Sequence, residues 1–291
     1  MGAFARARVF AVSATLAALC PIASGGEASR NFTTSDGVRL HYIEAGTGET
    51  VLFVPGWLMP AEIWRPQINY FAPHYRVIAL DPRSQGDSQV APSGNHIKRR
   101  AQDLHELIEH TLSTRVVIVG WSLGVLETLL YVKTYGDAKV AALVLVDNSV
   151  GETPPQEGGT TIRSRPPNER EIEMAEFVGI LFKSPQPPAY LAWLTKQVMR
   201  TPDEVGASLL AIPYSRAFWR SAVYSTARPL LYLVTASLRK QAATLRTKRK
   251  ETSTEVYTKA GHALFVDEAG RFNETVEAFL DKTLKTSGFE K

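Results

Sequence analysis

The chain contains one cysteine, Cys20, so no intramolecular disulfide can brace it. That cysteine falls in a segment read below as a removable leader, which leaves the mature chain with none. Long apolar runs are also missing: the uncharged stretch Val9 to Leu19 is too short to span a bilayer. Neither sign of charge dominates, with 33 Lys and Arg against 29 Asp and Glu. Two of the positive charges, Arg6 and Arg8, lie in the leader, so the modest excess carries no nucleic-acid inference. The basic run Arg246, Lys248, Arg249, Lys250 reads as a solvated helix end. There is no internal repeat and no low-complexity tract. Metal spacing is absent as well. His105 and His110 are five residues apart and point about 140° apart on a helix, and His41, His74 and His96 have no partner pattern. No zinc, other metal or cofactor is expected. Finally, no Asp or Glu occurs from Val205 to Lys250, an absence that later locates an acid.

What is present fits a soluble globular protein, with 44% hydrophobic and 21% charged residues in 291. That length suits a single α/β domain with an insertion. The amino terminus reads as a signal peptide over 1–25. Arg6 and Arg8 form a basic n-region, Val9 to Leu19 an Ala-rich h-region, and Ala23, Ser24, Gly25, Gly26 and Ala28 offer small residues for cleavage. An exported protein, periplasmic or secreted, is expected, with no stable membrane association after cleavage. An uncleaved anchor is the alternative.

The stretch Arg115 to Tyr135 organises the rest. It opens with the β-branched run Val116-Val117-Ile118-Val119, a strand buried on both faces. It closes with Leu123, Leu126, Leu129, Leu130 and Val132, apolar at helical spacing. Between them lies Gly120-Trp121-Ser122-Leu123-Gly124, which is G-x-S-x-G on a strand-to-helix turn and predicts a nucleophile elbow. Such a tip has strained backbone angles and near-contact neighbours, so small residues must flank it.

On either side the chain alternates strands and helices. Phe32 to Thr34 and Val38 to Glu44 flank the turn Ser35-Asp36-Gly37 and predict a hairpin. Val51 to Val54 is a buried strand ending at Pro55-Gly56-Trp57. A short helix follows near Trp64, Ile68 and Phe71, then a strand from Tyr75 to Leu80. Ile97 to Leu112 is an amphipathic helix, and Val140 to Val146 a strand ending at Asp147. From 151 to 228 prolines cluster and short helical segments replace strands. Alternation resumes with Pro229 to Thr235, a basic helix over Leu238 to Arg249, Glu255 to Thr258, and a last helix after His262. The expected fold class is α/β, a mostly parallel sheet covered by helices on both faces, with core segments 30–150 and 229–288 and a helical cap over 151–228.

A serine hydroxyl needs a base, and the base an orienting acid. His262, in Gly261-His262-Ala263 between the last strand and last helix, is the candidate base. The acid should end a strand between Ser122 and His262 in chain order. The strand Pro229 to Thr235 is followed by Ala236-Ser237-Leu238-Arg239-Lys240, with no acid. Asp147, one strand earlier, is therefore favoured, with Glu152 in reserve. A structural Asp bonding loop amides is the plain alternative for position 147. Oxyanion donors are expected from the backbone amides of Leu123 and Trp57, with Gly56 allowing close approach.

These pieces together resemble the α/β-hydrolase superfamily over nearly all of the mature length. The matching segments are Pro55-Gly56-Trp57, the D-x-R-x-x-G-x-S run Asp81 to Ser88, the elbow with Glu127 shortly after, Asp147, and Gly261-His262. The chain is most similar to serine esterases and cofactor-free haloperoxidase-like perhydrolases with a helical cap. It departs from the pattern where Pro55 stands in place of a common His. It departs again where the acid takes the position used by some haloalkane dehalogenase relatives. Dehalogenases and epoxide hydrolases of this fold use an Asp nucleophile, so Ser122 argues against both activities. The resemblance implies hydrolysis of a small to medium, fairly apolar ester, with Trp57, Trp121, Trp193 and Trp219 as candidate substrate contacts. Perhydrolysis or acyl transfer by the same residues, and an inactive exported ligand-binding relative, remain as alternatives.

Overall fold

A computed structural model of the chain describes residues 26–155 and 169–286. The expected leader over 1–25, and the Pro166-Pro167 pair of the insertion, lie outside the described residues. Eight strands form one sheet in the order β1-β2-β4-β3-β5-β6-β7-β8. β1 (Ala28–Thr33) and β2 (Arg39–Ala45) make the expected antiparallel hairpin, and β2 is also antiparallel to β4 (Arg76–Asp81). From β4 onward the ladder is parallel, through β3 (Thr50–Val54), β5 (Val116–Trp121), β6 (Val140–Val146), β7 (Leu230–Thr235) and β8 (Thr252–Tyr257).

The centre of the sheet follows from composition. Every residue of β3, β5 and β6 is buried, as near-continuous Val, Leu and Ile runs require when helices cover both faces. Helix α1 (Arg65–Phe71) and its preceding turn pack beside the carboxyl-terminal helix α10 (Ala269–Thr286). There Trp64 stacks on Phe265 at 3.9 Å, and Gln67 donates to the Asn273 side chain at 3.0 Å. Helix α2 (Ile97–His110) packs on α3 (Leu123–Tyr135). Helix α8 (Arg239–Lys248) connects β7 to β8.

The insertion contributes helices α4 (Arg170–Ile180), α5 (Pro188–Met199), α6 (Asp203–Leu210) and α7 (Arg216–Tyr224), all between β6 and β7. Proline opens α5, where its missing N–H leaves nothing unsatisfied.

Some boundaries differ from the sequence reading: β1 begins at Ala28 rather than Phe32, in a largely exposed polar stretch, and others shift at the carboxyl-terminal end of the sheet. β8 begins at Thr252 rather than Glu255, because it pairs along its length with β7 while its half-exposed Thr-Ser-Thr-Glu pattern carries little hydrophobic signal. The helix after His262 is two pieces, α9 (Leu264–Asp267) and α10. The Asp267 carboxylate at the break accepts from the amides of Gly261 at 2.7 Å, Lys183 at 2.7 Å and Ser184 at 3.1 Å. No helix among the described residues is long and apolar enough to cross a membrane.

Candidate active site

Ser122 sits between β5 and α3 with φ 54° and ψ −120°, a strained conformation for a residue with a side chain, costing about 1–3 kcal/mol. The surroundings leave it no other course. A Cβ on Gly124 would lie 2.4 Å from the Val54 carbonyl oxygen, and one on Gly120 would lie 2.5 Å from the Gly124 carbonyl oxygen. A Cβ on Gly56 would come 2.9 Å from the Ser122 Cβ. The small residues predicted on both sides of the serine are thus required by backbone contact. The Ser122 amide donates to Val146 at 3.0 Å, and its carbonyl accepts from the Asn148 side chain at 2.7 Å. Ser122 is half-buried.

His262, from the loop after β8, lies with Nε2 2.8 Å from Ser122 Oγ and Nδ1 2.8 Å from Asp147 Oδ2. A carboxylate can only accept, so Nδ1 carries the proton and Nε2 is left to accept from the serine. The imidazole is about one-third exposed while the carboxylate is 6% exposed, so Asp147 is shielded from solvent and His262 is not. Asp147 also adopts a left-handed φ of 46°. Its other oxygen accepts from the Thr235 amide at 2.7 Å and the Thr235 hydroxyl at 2.8 Å. The strand end that holds no acid therefore holds two donors for an acid on the next strand. Chain order and composition pointed to position 147, but nothing in the sequence identified Thr235 as its support.

Glu152, the reserve acid, is directed elsewhere. It is fully buried, accepts from the Tyr224 hydroxyl at 2.6 Å and the Thr153 amide at 2.8 Å, and pairs with Lys248 at 3.0 Å. Burial alone would raise its pKa; the Tyr224, Thr153 and Lys248 contacts outweigh that and bring it down to about 2.

The turn after β3 brings Gly56 against Ser122, and Trp57 follows directly. Among the described residues, neither the Trp57 amide nor the Leu123 amide donates to a protein acceptor. Leu123 is the first residue of α3, where helix N–H groups have no intrahelical partner. The turn itself is closed by a Met59-to-Gly56 hydrogen bond of 3.3 Å and by the side chain of Gln85.

The four tryptophans divide. Trp121 is only 1% exposed; its indole N–H donates to the His262 carbonyl at 2.9 Å and its ring meets Phe265 edge-on at 5.0 Å. It supports the loop that carries His262, and at this burial it offers little surface to a reactant. Trp219 is likewise buried and meets Tyr214 and Phe218 edge-on, on a helix that lies on α3. Trp193 is half-buried and stacks on Tyr190 at 5.9 Å. Trp57 bonds the Gly206 carbonyl of α6 at 2.8 Å and meets Phe177 of α4 edge-on at 5.1 Å, linking the turn to the cap.

Four of the five other histidines have structural partners, His96 among them through the Arg99 amide at 3.2 Å. His105 stacks on Tyr135 at 4.1 Å and His110 on Phe32 at 5.1 Å. His41, for which the sequence offered no partner, lies 2.7 Å from Asp81 and 2.8 Å from Ser29. The ligand atoms of His41, Asp81 and Asp87 come within 4.8 Å of one another. However, Asp81 already accepts from the amides of Ala61 and Asp87, and Asp87 pairs with Arg200.

Comparison with known proteins agrees with this fold. A family model described as the alpha/beta hydrolase fold matches residues 49–184. Over 124 residues the chain is 34% identical to a non-heme haloperoxidase from Rhodococcus erythropolis, covering 42% of this chain and 44% of that protein. The crystal structure of a candidate aryl esterase from Burkholderia cenocepacia superposes with a TM-score of 0.80 at 25% identity, covering 89% of this chain and 100% of that one. An esterase from Exiguobacterium antarcticum, at 20% identity, shares the fold with a TM-score of 0.75 over 86% of this chain and 98% of that one. The chain spans about two fifths of the length of the curated relatives it matches.

Proposed function

We propose, from the premise that this chain is an α/β-hydrolase-fold protein, that it is a serine esterase acting on a small to medium, fairly apolar carboxylic ester. The observation that carries the reading is the unbroken row from Asp147 through His262 to Ser122, with both links at 2.8 Å. His262 Nε2 takes the hydroxyl proton as Ser122 Oγ attacks the ester carbonyl. The carbonyl oxygen becomes an anion, held by the free amides of Trp57 and Leu123, where each donor contributes about 3 kcal/mol. Asp147 stabilises the imidazolium without taking its proton. Collapse of the intermediate breaks the bond to the leaving alkoxide, which receives the proton from His262, and an acyl-serine remains. Water then gives a proton to His262, attacks the acyl carbon, and releases the acid with Ser122 restored. No step calls for a metal or redox group.

An apolar substrate is supported by the half-buried aromatic side chains of the cap, Phe177 against Trp57 and Tyr190 against Trp193. A second reading, perhydrolysis, is favoured by the haloperoxidase relative: peroxide in place of water at the acyl-serine would yield a peracid. Assaying products from one ester with and without added peroxide separates the two. Export as a soluble periplasmic or secreted protein is proposed on the basic and apolar leader alone, and cell fractionation with amino-terminal sequencing tests it.

The deciding experiment is Ser122→Ala. Hydrolysis of a short p-nitrophenyl ester is expected to fall by about a millionfold in kcat, with folding retained and labelling by a fluorophosphonate lost. Turnover at the wild-type rate would remove Ser122 from the chemistry.

A further inference from the structure

Beneath the turn that carries Trp57 lies a buried polar chain that the reaction scheme does not use. Gln85 is 1% exposed and satisfies every hydrogen-bonding site of its amide. Its oxygen accepts from the Leu58 amide at 3.0 Å and from Arg100 at 2.7 Å; its nitrogen donates to the carbonyls of Gly56 at 3.1 Å and Met59 at 2.9 Å. Arg100, on α2, reaches across to Glu127 on α3 at 2.7 Å, and both side chains are almost wholly buried. Burying such a pair carries a large desolvation cost, and an apolar pair of similar volume could glue the helices as well.

We propose that Gln85, oriented by the Arg100–Glu127 pair, is a positioning residue for the oxyanion-binding turn Gly56–Met59. The inference rests on the esterase reading given above. A carboxamide is nearly symmetrical in shape, and its two ends differ only in which donates. Arg100 can only donate, so it fixes the oxygen of Gln85 on its own side and turns the nitrogen toward the two carbonyls. That orientation also gives the Leu58 amide its acceptor. Leu58 holds a left-handed φ of 61°, a conformation a leucine keeps only when its surroundings enforce it. With Gly56 O, Leu58 N and Met59 O all bound to one amide, the intervening Trp57 amide has no freedom to turn away from Ser122. Glu127 holds Arg100 in place from the helix that begins at the nucleophile. The nucleophile helix and the oxyanion turn are thereby referred to one another through side chains as well as through backbone.

The test uses the full-length protein, p-nitrophenyl butyrate, and kcat per titrated active site, so that a loss of folded enzyme does not count. In Gln85→Leu, kcat is expected to fall about tenfold to a hundredfold with KM within about twofold. Hydrogen exchange at the Leu58 amide, followed by NMR, is expected to accelerate at least about tenfold. A folded Gln85→Leu with wild-type kcat, or with unchanged Leu58 exchange, overturns the proposal, because a merely structural residue would leave kcat per active site unchanged. Should that variant not fold, Gln85→Glu serves. It keeps the acceptor for Leu58 and Arg100 but turns an oxygen on the Gly56 and Met59 carbonyls, so its kcat should drop while KM holds; wild-type kcat there also overturns the proposal. An inert wild-type protein would sink the esterase reading, not the positioning of the turn, which Leu58 exchange then decides by itself.

Discussion

Ser122 and His262, the proposed nucleophile and base, are held by different means. At the elbow, Ser122 is fixed first by exclusion: Gly120 and Gly124 bring backbone so close that no side chain fits, and its amide and carbonyl are then bonded to Val146 and Asn148. At the base, His262 is fixed by attachment. Asp147 and Trp121 bond it directly, Asp267 bonds the amide of its neighbour Gly261, and Thr235 bonds the acid in turn. Exclusion is intolerant, since backbone atoms cannot move aside, whereas attachment is divisible, since each bond can be removed singly. Failure at the elbow should therefore appear as failure to fold, and failure at the base as a slower enzyme.

The largest kinetic effect that breaks this contrast is at the acid. Asp147→Asn preserves size and tolerates the left-handed backbone, yet can supply the wrong hydrogen-bonding partner to the imidazole. Its kcat is expected to fall by about 10⁴ with a near-normal melting curve. Gly124→Ala is the converse: about 3 kcal/mol of stability lost to overlap with the Val54 carbonyl, read by denaturant unfolding, with activity following the folded fraction. A stable, slow Gly124→Ala enzyme would undo the distinction. The smallest kinetic effect belongs to Glu152→Gln, expected to leave kcat within about twofold because Glu152 faces Tyr224 and Lys248 rather than the imidazole. Its effect is on stability and depends on pH. With its folded pKa drawn from 4.5 to about 2, the carboxylate stabilises the fold above its ordinary range and loses that contribution as pH falls toward 2. The melting-temperature advantage of wild type over Glu152→Gln should thus be present at pH 6 and vanish near pH 2. An equal gap at both would refute it.

Much of this was legible in the sequence where the signal is local. β6 was bounded as observed by its apolar run, and the elbow by five residues in a strand-to-helix setting. Asp147 was reached by elimination, from the missing acids after β7, and the structure brings it to His262. What the sequence did not disclose is side-chain bonding between distant segments. The Thr235 donors lie 88 residues from Asp147, and Gln85 meets Gly56 across 29. Neither pairing leaves a period or a motif. The bond from Trp121 to the His262 carbonyl is of the same kind, spanning 141 residues with no local signal.

Asp267 carries one more consequence. Its carboxylate holds Gly261, beside the imidazole, and Lys183 and Ser184, between α4 and α5, so this corner of the lid and the base form one mechanical unit. Opening to admit a bulky guest must then pivot elsewhere in the lid, and selection for larger guests should leave residue 267 alone while remodelling the helices beyond it.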